Sequence, residues 1–305
     1  MRAACLGIIA GLAASLSLVG CSAGGHTLDD ASALKRAVTK QAAVAGSSQV
    51  VQLELTDRPG AQDALISVRR QDGSIVDIRL NDKEASQGPQ TNPTEGLAAE
   101  QLPYDQLVEA LRQAGQECGE QTGGRVVFAA TPTGKPMVVA RCAGNAKAIF
   151  TILDGQRLSE EQGFSGAESY DRLLAEARLV FGNRLQNYGI HFGDGDGGAA
   201  AAAFPYLSVI GPQYEAAGGP CTIGYQRSPA ALDYLAQCMA ADGYELQKLD
   251  IAEVTGATMQ AAHDKALGQL GGVDAKVAEV EIIAAGTELR LRVTAPDGTN
   301  VSEPL

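Results

Sequence analysis

Residues 50–80, VVQLELTDRPGAQDALISVRRQDGSIVDIRL, decide the fold class of this chain. They contain three strand-like runs, VVQLEL (50–55), ALISVRR (64–70) and SIVDIRL (74–80). Alternation of apolar and polar side chains with a period of two is typical of a strand with one buried face. Asp72-Gly73 separates the last two runs, and Asp-Gly between alternating runs is a strong hairpin signal. The stretch therefore predicts a small antiparallel sheet.

A helix is predicted on the N-terminal side of this sheet, and the same order of elements follows it. Residues 28–45, LDDASALKRAVTKQAAVA, have acidic residues in the first turn and Gly46 at the stop. After a polar, Pro- and Gly-rich linker at 81–100, the amphipathic segment 103–118 predicts a second helix. Three further strands are predicted after it, RVVFAA (125–130), PMVVARC (136–142) and AKAIFTIL (146–153).

The C-terminal segment resembles the first module more literally. A helix is predicted at 256–272, and VAEVEI (277–282) parallels VVQLEL. Each of these two runs has a lone glutamate between apolar neighbours, Glu54 or Glu281. LRLRVTAPDGTNV (289–301) then parallels the Asp-Gly hairpin of the first module. We interpret this as an internal repeat.

A helix, a glycine break, a V-x-x-[LV]-E-[LI] strand and a V-x-x-x-DG-x-x-V hairpin together resemble the PepSY module of bacterial secreted and membrane-associated proteins. The resemblance covers residues 30–80 best and 256–301 second best, whereas 103–153 matches only in element order. Neither of the two better copies has the D-x-x-T-G motif after its last strand. The resemblance implies a non-catalytic α+β module that binds or restrains peptidases or other envelope partners.

The middle of the chain has less regular patterns. Residues 167–185 predict a helix, and the Gly/Asp/Ala-rich tract within 189–211 indicates a mobile loop or hinge near 193–203. Residues 228–246 predict another helix, capped by Ser228 with Pro229 at its first position. We therefore expect two α+β domains, with two helix-plus-sheet modules in residues 28–160 and the remainder in residues 161–305.

The N-terminus predicts the location of the protein. Arg2 is followed by an apolar segment at 6–19 that has the length of a signal-peptide core and is short for a membrane span. Leu18-Val19-Gly20-Cys21 follows and resembles the lipobox of bacterial lipoproteins. The resemblance implies that residues 1–20 are a removed signal peptide, that Cys21 is acylated and that residues 21–27 are a tether. An ordinary secretory signal with an incidental cysteine is the alternative.

The net charge of the chain limits the classes of partner that it can bind. Without residues 1–20 the chain keeps 23 basic and 36 acidic side chains, a formal charge of −13. A surface of this charge disfavours nucleic acid and electrostatic docking on anionic lipid. We therefore expect membrane attachment through the acyl chains on Cys21 alone, at the extracytoplasmic face of the cell membrane.

Four cysteines remain beyond Cys21, namely Cys118, Cys142, Cys221 and Cys238. An even number outside the cytosol predicts two disulfides, and four cysteines allow three pairings. We favour the local pairs 118–142 and 221–238, because each lies within one predicted module. Metal binding is the alternative, but the spacings contain no CxxC and no neighbouring histidine.

Several residues have the chemistry of a functional site, but none belongs to a complete motif. His191, Asp194 and Asp196 lie in the predicted loop, but an EF-hand starting at Asp194 would have Pro205 at its twelfth position. Residues 163–166, GFSG, are not a nucleophile elbow. We expect no catalytic, cofactor-binding or metal-binding residue.

The histidines and the paired glutamates also do not predict a catalytic site. The chain has three histidines, which we expect in the tether (His26), in a loop (His191) and on an exposed helix face (His263). Few histidines are therefore available for a Ser-His-Asp triad. Glu54 and Glu281 could form a functional pair, but on alternating strands we expect them to point to water.

Three functions of different classes are open at this point. The first is a lipid-anchored, non-catalytic binding or adaptor module that presents sheet faces, strand edges or an apolar patch to another envelope protein. The alternative is a carrier of a lipid or small apolar molecule, which needs a large apolar cavity. The third is a hydrolase, which the missing triad and metal motifs disfavour. We expect the first, without cofactor.

Overall fold

The computed structural model describes residues 27–88, 94–145, 147–161, 163–192, 205–216, 219–240, 247–272 and 275–305. The predicted signal peptide, Cys21, His26 and the loop near 193–203 lie outside the described residues. The described chain is mixed α+β, as predicted, with four α-helices and many antiparallel strands.

The first half of the chain has two α-helices, each followed by antiparallel strands. Their bounds are α1 Ala31–Val44, β1 Gln49–Arg58, β2 Ala61–Arg69, β3 Ile75–Arg79, β4 Ser86–Gln87, β5 Leu97–Ala98, α2 Tyr104–Cys118, β6 Gly124–Ala130, β7 Pro136–Cys142, β8 Ala148–Leu153 and β9 Gln156–Arg157. Asp30 caps α1 by accepting a hydrogen bond from Ala33 N at 2.7 Å. Short 3₁₀ turns lie at Thr27–Asp29 and Ala99–Gln101.

The second half also alternates helices with antiparallel strands. Its elements are α3 Ala167–Phe181, β10 Arg184–Leu185, β11 Asn187–His191, β12 Tyr206–Ala216, β13 Gly219–Arg227, β14 Leu232–Ala240, β15 Leu249–Asp250, α4 Gly256–Leu270, β16 Glu279–Ala285, β17 Glu288–Thr294 and β18 Asn300–Pro304.

The strands form two large sheets and one pair. The N-terminal sheet has the order β4-β3-β2-β1-β6-β7-β8-β9, with β5 also paired to β1. The C-terminal sheet has the order β14-β13-β12-β11-β16-β17-β18, and β10 pairs with β15. In each large sheet the first long strand after one helix pairs antiparallel with the first long strand after the next, β1 with β6 and β11 with β16. The internal sequence repeat itself stays a prediction.

Helices cover one face of each large sheet. In β1, Leu53 and Leu55 are fully buried and belong to the core beneath α1 and α2, whereas Glu54 between them lies on the other face. In β16, Val280 and Ile282 belong in the same way to the core with α3 and α4. The alternation read from the sequence is therefore the alternation of buried and open faces. We call the faces away from the helices the open faces.

The two sheets meet where the start of β14 lies against β7 and β8. Thr151 Oγ1 in β8 donates to Leu232 O at 2.8 Å and accepts from Leu232 N at 3.0 Å. Beside this contact, Arg141 in β7 forms an ion pair with Asp233. One apolar core includes Met137 and Val139 of the N-terminal sheet together with residues of α3, α4 and the C-terminal sheet. The division into two domains near residue 160 stays a prediction.

The helix predicted at 228–246 is wrong where the structure describes this segment. Residues 232–240 form strand β14, which pairs antiparallel with β13. Ser228 does not cap a helix. Its N–H donates to Ala231 O at 2.8 Å and its Oγ accepts from Ala231 N at 3.3 Å, which closes a tight turn between β13 and β14. The pairing with β13 and the contact with Thr151 override the helix propensity of the Ala- and Leu-rich sequence.

The disulfide Cys118–Cys142 is present, with its Cα atoms 5.4 Å apart, as the local pairing predicted. It joins the end of α2 to the end of β7. Cys221 and Cys238 lie on the adjacent antiparallel strands β13 and β14. Their side chains are outside the described residues, so the second disulfide stays a prediction.

Candidate functional site

The open face of the C-terminal sheet carries a row of polar side chains. Strand pairing places Glu281 opposite Arg292 on one side and opposite Gly189 on the other. The same register continues outward to Ser302 in β18 and to Ser208 in β12. Directly paired residues share a face. We call this set, with the adjacent His191, Glu279 and Tyr206, the polar row.

One ion pair and one histidine–carboxyl contact organise the polar row. Arg292 Nε donates to Glu281 Oε2 at 2.8 Å, and a second nitrogen of the same guanidinium also reaches this oxygen. His191 Nδ1 lies 3.0 Å from Glu279 Oε1. The His191 ring stacks on Tyr206, with ring centroids 4.6 Å apart and planes inclined by 22°. The side chains are therefore held in defined positions on a partly exposed surface.

Burial and charge shift the protonation of this pair. Burial lowers the pKa of His191, an effect that the nearby Glu281 charge opposes. Burial raises the pKa of Glu279, the charge of Glu281 raises it further, and Arg292 opposes the shift. Both shifts favour the neutral forms of the two side chains. At neutral pH His191 therefore presents an uncharged imidazole beside a carboxyl group.

Gly189 leaves the centre of the polar row without a side chain. A Cβ atom at this position would lie 3.4 Å from Glu281 Cγ and 3.6 Å from His191 Nε2, which is ordinary contact. Gly189 itself is buried, so the polar groups that a partner can reach here belong to the side chains around it. This arrangement can accept and donate hydrogen bonds, which suits recognition of a polar surface.

The sequence prediction for Glu54 and Glu281 needs refinement. Both lie on open faces, as the alternation predicted, but neither is simply hydrated. Arg125 donates to Glu54 at 2.7 Å, and Arg292 binds Glu281, whose side chain is only 13% exposed. The sequence shows that arginines occur in the neighbouring strands. Only the strand register shows which arginine pairs with each glutamate.

The sequence placed His191 in a loop, whereas it is the last residue of strand β11. The alternation of buried Tyr188 and Ile190 with His191 could have shown this. Asp194 and Asp196 lie outside the described residues. Within the described part of the chain, no three His, Cys, Asp or Glu side chains come together as metal ligands do.

The sequence prediction of an exposed His263 is wrong. His263 is buried in the contact between α4 and α3, with Nδ1 2.8 Å from the Tyr170 hydroxyl. Met259, Ala262 and Ala266 are buried on the same helix face, so His263 lies within the apolar stripe of α4. Its Nε2 is buried without a hydrogen-bond partner among the described residues.

We expect His263 to titrate below its ordinary pKa of 6.5, because burial favours the neutral imidazole, although Asp264 opposes the shift. A buried histidine with a lowered pKa does not reduce the free energy of unfolding above pH 6.5, where it is neutral in both states. The free energy of unfolding falls as the pH drops from 6.5 through the folded-state pKa, because the unfolded chain binds the proton more readily. Wild type should therefore lose stability relative to His263→Phe between pH 7 and pH 5. Imidazole NMR titration and urea unfolding measure the two quantities, and a pKa above 6.5 would contradict the prediction.

A second buried polar group lies beneath the polar row. Arg227 in β13 is fully buried, and its Nε donates to Glu176 Oε2 of α3 at 2.9 Å. Its other nitrogens donate to the carbonyl oxygens of Ser159 at 2.6 Å and Pro229 at 3.1 Å. Burial raises the pKa of Glu176, and the Arg227 charge opposes this shift. All these groups are satisfied within the protein, which indicates a structural role at the junction of the sheets.

Among the described helices, none combines the length and the apolar character that crossing a bilayer requires. No protein-family model, no curated protein and no solved structure matches this chain.

Proposed function

We propose that this protein is an acyl-anchored lipoprotein on the extracytoplasmic face of the cell membrane that binds another envelope protein without catalysis. The anchor is supported by the apolar segment at 6–19 and the lipobox-like sequence that ends at Cys21. The observation that carries the binding function is the polar row on the open face of the C-terminal sheet. The Arg292–Glu281 and His191–Glu279 contacts hold these side chains in place. Binding a partner therefore costs less side-chain conformational entropy.

The faces are better supported than the edges as binding surfaces. Strand β14 packs against the N-terminal sheet, and β4 and β9 have two residues each. Edge strand β18 has Pro304, which has no N–H to donate to an added strand. The expected apolar patch does not form in the described residues, where the exposed large apolar side chains are Val44 and Leu179. A partner would therefore be recognised by complementary charge and hydrogen bonding.

Photo-crosslinking in intact cells tests the proposal. A photoreactive amino acid at exposed Gln226, on the open face, should capture one envelope protein. The same amino acid at exposed Lys265, on the solvent side of α4, should capture none or a different set. Because charges direct the contact, raised salt should weaken the capture. Equal capture from both positions would overturn the proposed surface.

Two variants sharpen the result. Ser208→Arg places a large charged side chain within the polar row and should abolish the crosslink, whereas Ser32→Arg, the same change on exposed α1, should leave it intact. Cys21→Ser should release the protein from the membrane fraction and reduce the capture. A crosslink that persists in Ser208→Arg would contradict the proposal.

A further inference from the structure

A groove of about 820 Å³ lies in the N-terminal half of the molecule. It runs between the 3₁₀ turn at Thr27–Asp29, the β1–β2 hairpin, α2 and the turn that leads into β6. Its volume is within the range of sites that hold small ligands. No side chain of the polar row contributes to it.

The walls of the groove are mainly apolar and its floor is backbone. Pro59, Ala61 and Val108 supply apolar surface, to which the nearly buried Leu28 and Leu111 add little. Gly115 of α2 lies against Gly124 of β6, where a Cβ would be 2.7 Å from Gly115 N and 2.8 Å from Leu111 O. Gly124 therefore lets the helix approach the strand closely, whereas a Cβ on Gly115 would lie 4.0 Å from Gly124 N, so Gly115 only leaves the groove free of a side chain there. Such a surface suits an unbranched apolar chain.

The rim of the groove carries charges of both signs. Arg58 and Arg112 lie at the rim together with the acidic residues Asp29, Asp57 and Glu120. Arg112 also forms an ion pair with Glu109 of its own helix. Guanidinium groups bind phosphate, and carboxylates bind ammonium. A zwitterionic phospholipid headgroup has both groups and complements this rim.

The position of the groove along the chain brings it to the membrane. Only the tether separates Leu28 from Cys21, and seven residues span at most about 25 Å. An acyl anchor on Cys21 would therefore hold the groove close to the bilayer surface. We propose that this groove binds one acyl chain of a zwitterionic membrane phospholipid, with the headgroup at the charged rim. This proposal assigns the carrier function to the groove. It does not depend on whether the polar row binds a protein.

Fluorescence on the purified mature chain with Cys21→Ser tests this site. The protein has no tryptophan, so Gln62→Trp at the rim supplies a single donor. The probe is lysophosphatidylcholine with a dansyl group on its acyl chain, used below its micelle concentration. We expect saturable energy transfer with one lipid per protein, and competition by unlabelled lysophosphatidylcholine. Transfer that does not saturate would overturn the proposal.

A pair of glycine variants provides the matched control. Gly115→Leu fills the groove and raises helix propensity, so the protein should fold and bind the probe at least tenfold more weakly. Gly268→Leu makes the same change at an open position of α4 and should not affect binding. Equal affinities of the two variants would exclude the groove. Palmitate should compete more weakly than lysophosphatidylcholine, and equal competition would exclude the headgroup site.

Discussion

Replacing Arg227 by methionine is expected to lower the free energy of unfolding by about 3–5 kcal/mol at pH 7, the cost of breaking a buried ion pair. Arg227 is fully buried, and its guanidinium binds the Glu176 carboxylate and the carbonyl oxygens of Ser159 and Pro229. Methionine fills part of the space but donates no hydrogen bond. An unpartnered carboxylate would remain in the interior, and the carbonyl oxygens of Ser159 and Ser228 would lose their donor, whereas Pro229 O keeps the Glu161 N–H. Urea unfolding of both proteins measures the loss.

The partner residue provides the control. Arg227→Met/Glu176→Leu should be more stable than Arg227→Met alone, because it removes the isolated charge as well. The loss should also depend on pH. A carboxyl group whose folded-state pKa is raised contributes stability at low pH that is lost as the pH rises through that pKa. The Arg227→Met defect should thus be smaller at pH 5 than at pH 8, and a defect independent of pH would contradict this account.

The helices and longer strands of the N-terminal half follow from local sequence, whereas the short strands β4 and β5 lie within the segment 81–100 that predicts a linker. Predicted strands at 125–130 and 136–142 correspond to β6 and β7 within one residue. These runs alternate strictly or end in Gly-containing turns, and their neighbours in sequence are also their neighbours in the sheet. Local patterns suffice where pairing is local.

Local sequence fails between residues 205 and 240. Strands β12 and β13 were not predicted, and β14 was assigned to a helix. Gly211 and Pro212 interrupt the pattern of β12, yet Gly211 is required because a Cβ there would overlap the Phe181 ring of α3. The start of β14 is fixed by Thr151, which is 81 residues away. Contacts at such separations leave no periodic signal in the segment itself.

The candidate site shows the same limit. Glu281 could be identified from its place between apolar neighbours, but its partners on the open face could not. His191, Glu279 and Arg292 come together only because β11 pairs with β16 and β16 with β17 in one particular register. A shift of one residue would move the whole set to the buried face. The residues of the polar row were therefore visible in the sequence only as separate charges.

Removing the disulfide with Cys118→Ala/Cys142→Ala is expected to cost about 3 kcal/mol of unfolding free energy, because the bond closes a loop of about 25 residues in the unfolded chain. Urea unfolding of the oxidised wild type, the reduced wild type and the double variant measures this cost. Both proteins should have equal stability in reductant, which also opens the predicted Cys221–Cys238 bond in each of them. Equal stability of oxidised and reduced wild type would contradict the prediction.

The same bond supports the proposed lipid groove. Cys118 ends α2, and the following turn, with Glu120 and Gly123, forms one wall of the groove. Gly123 O accepts from Ala143 N at 3.1 Å, next to Cys142, so the disulfide and this hydrogen bond hold the wall from both sides. Without the disulfide the wall should open more often, and lysophosphatidylcholine should bind more weakly under conditions where the protein is still folded. If the folded double variant binds lipid with unchanged affinity, the disulfide stabilises the fold but does not hold the groove in shape.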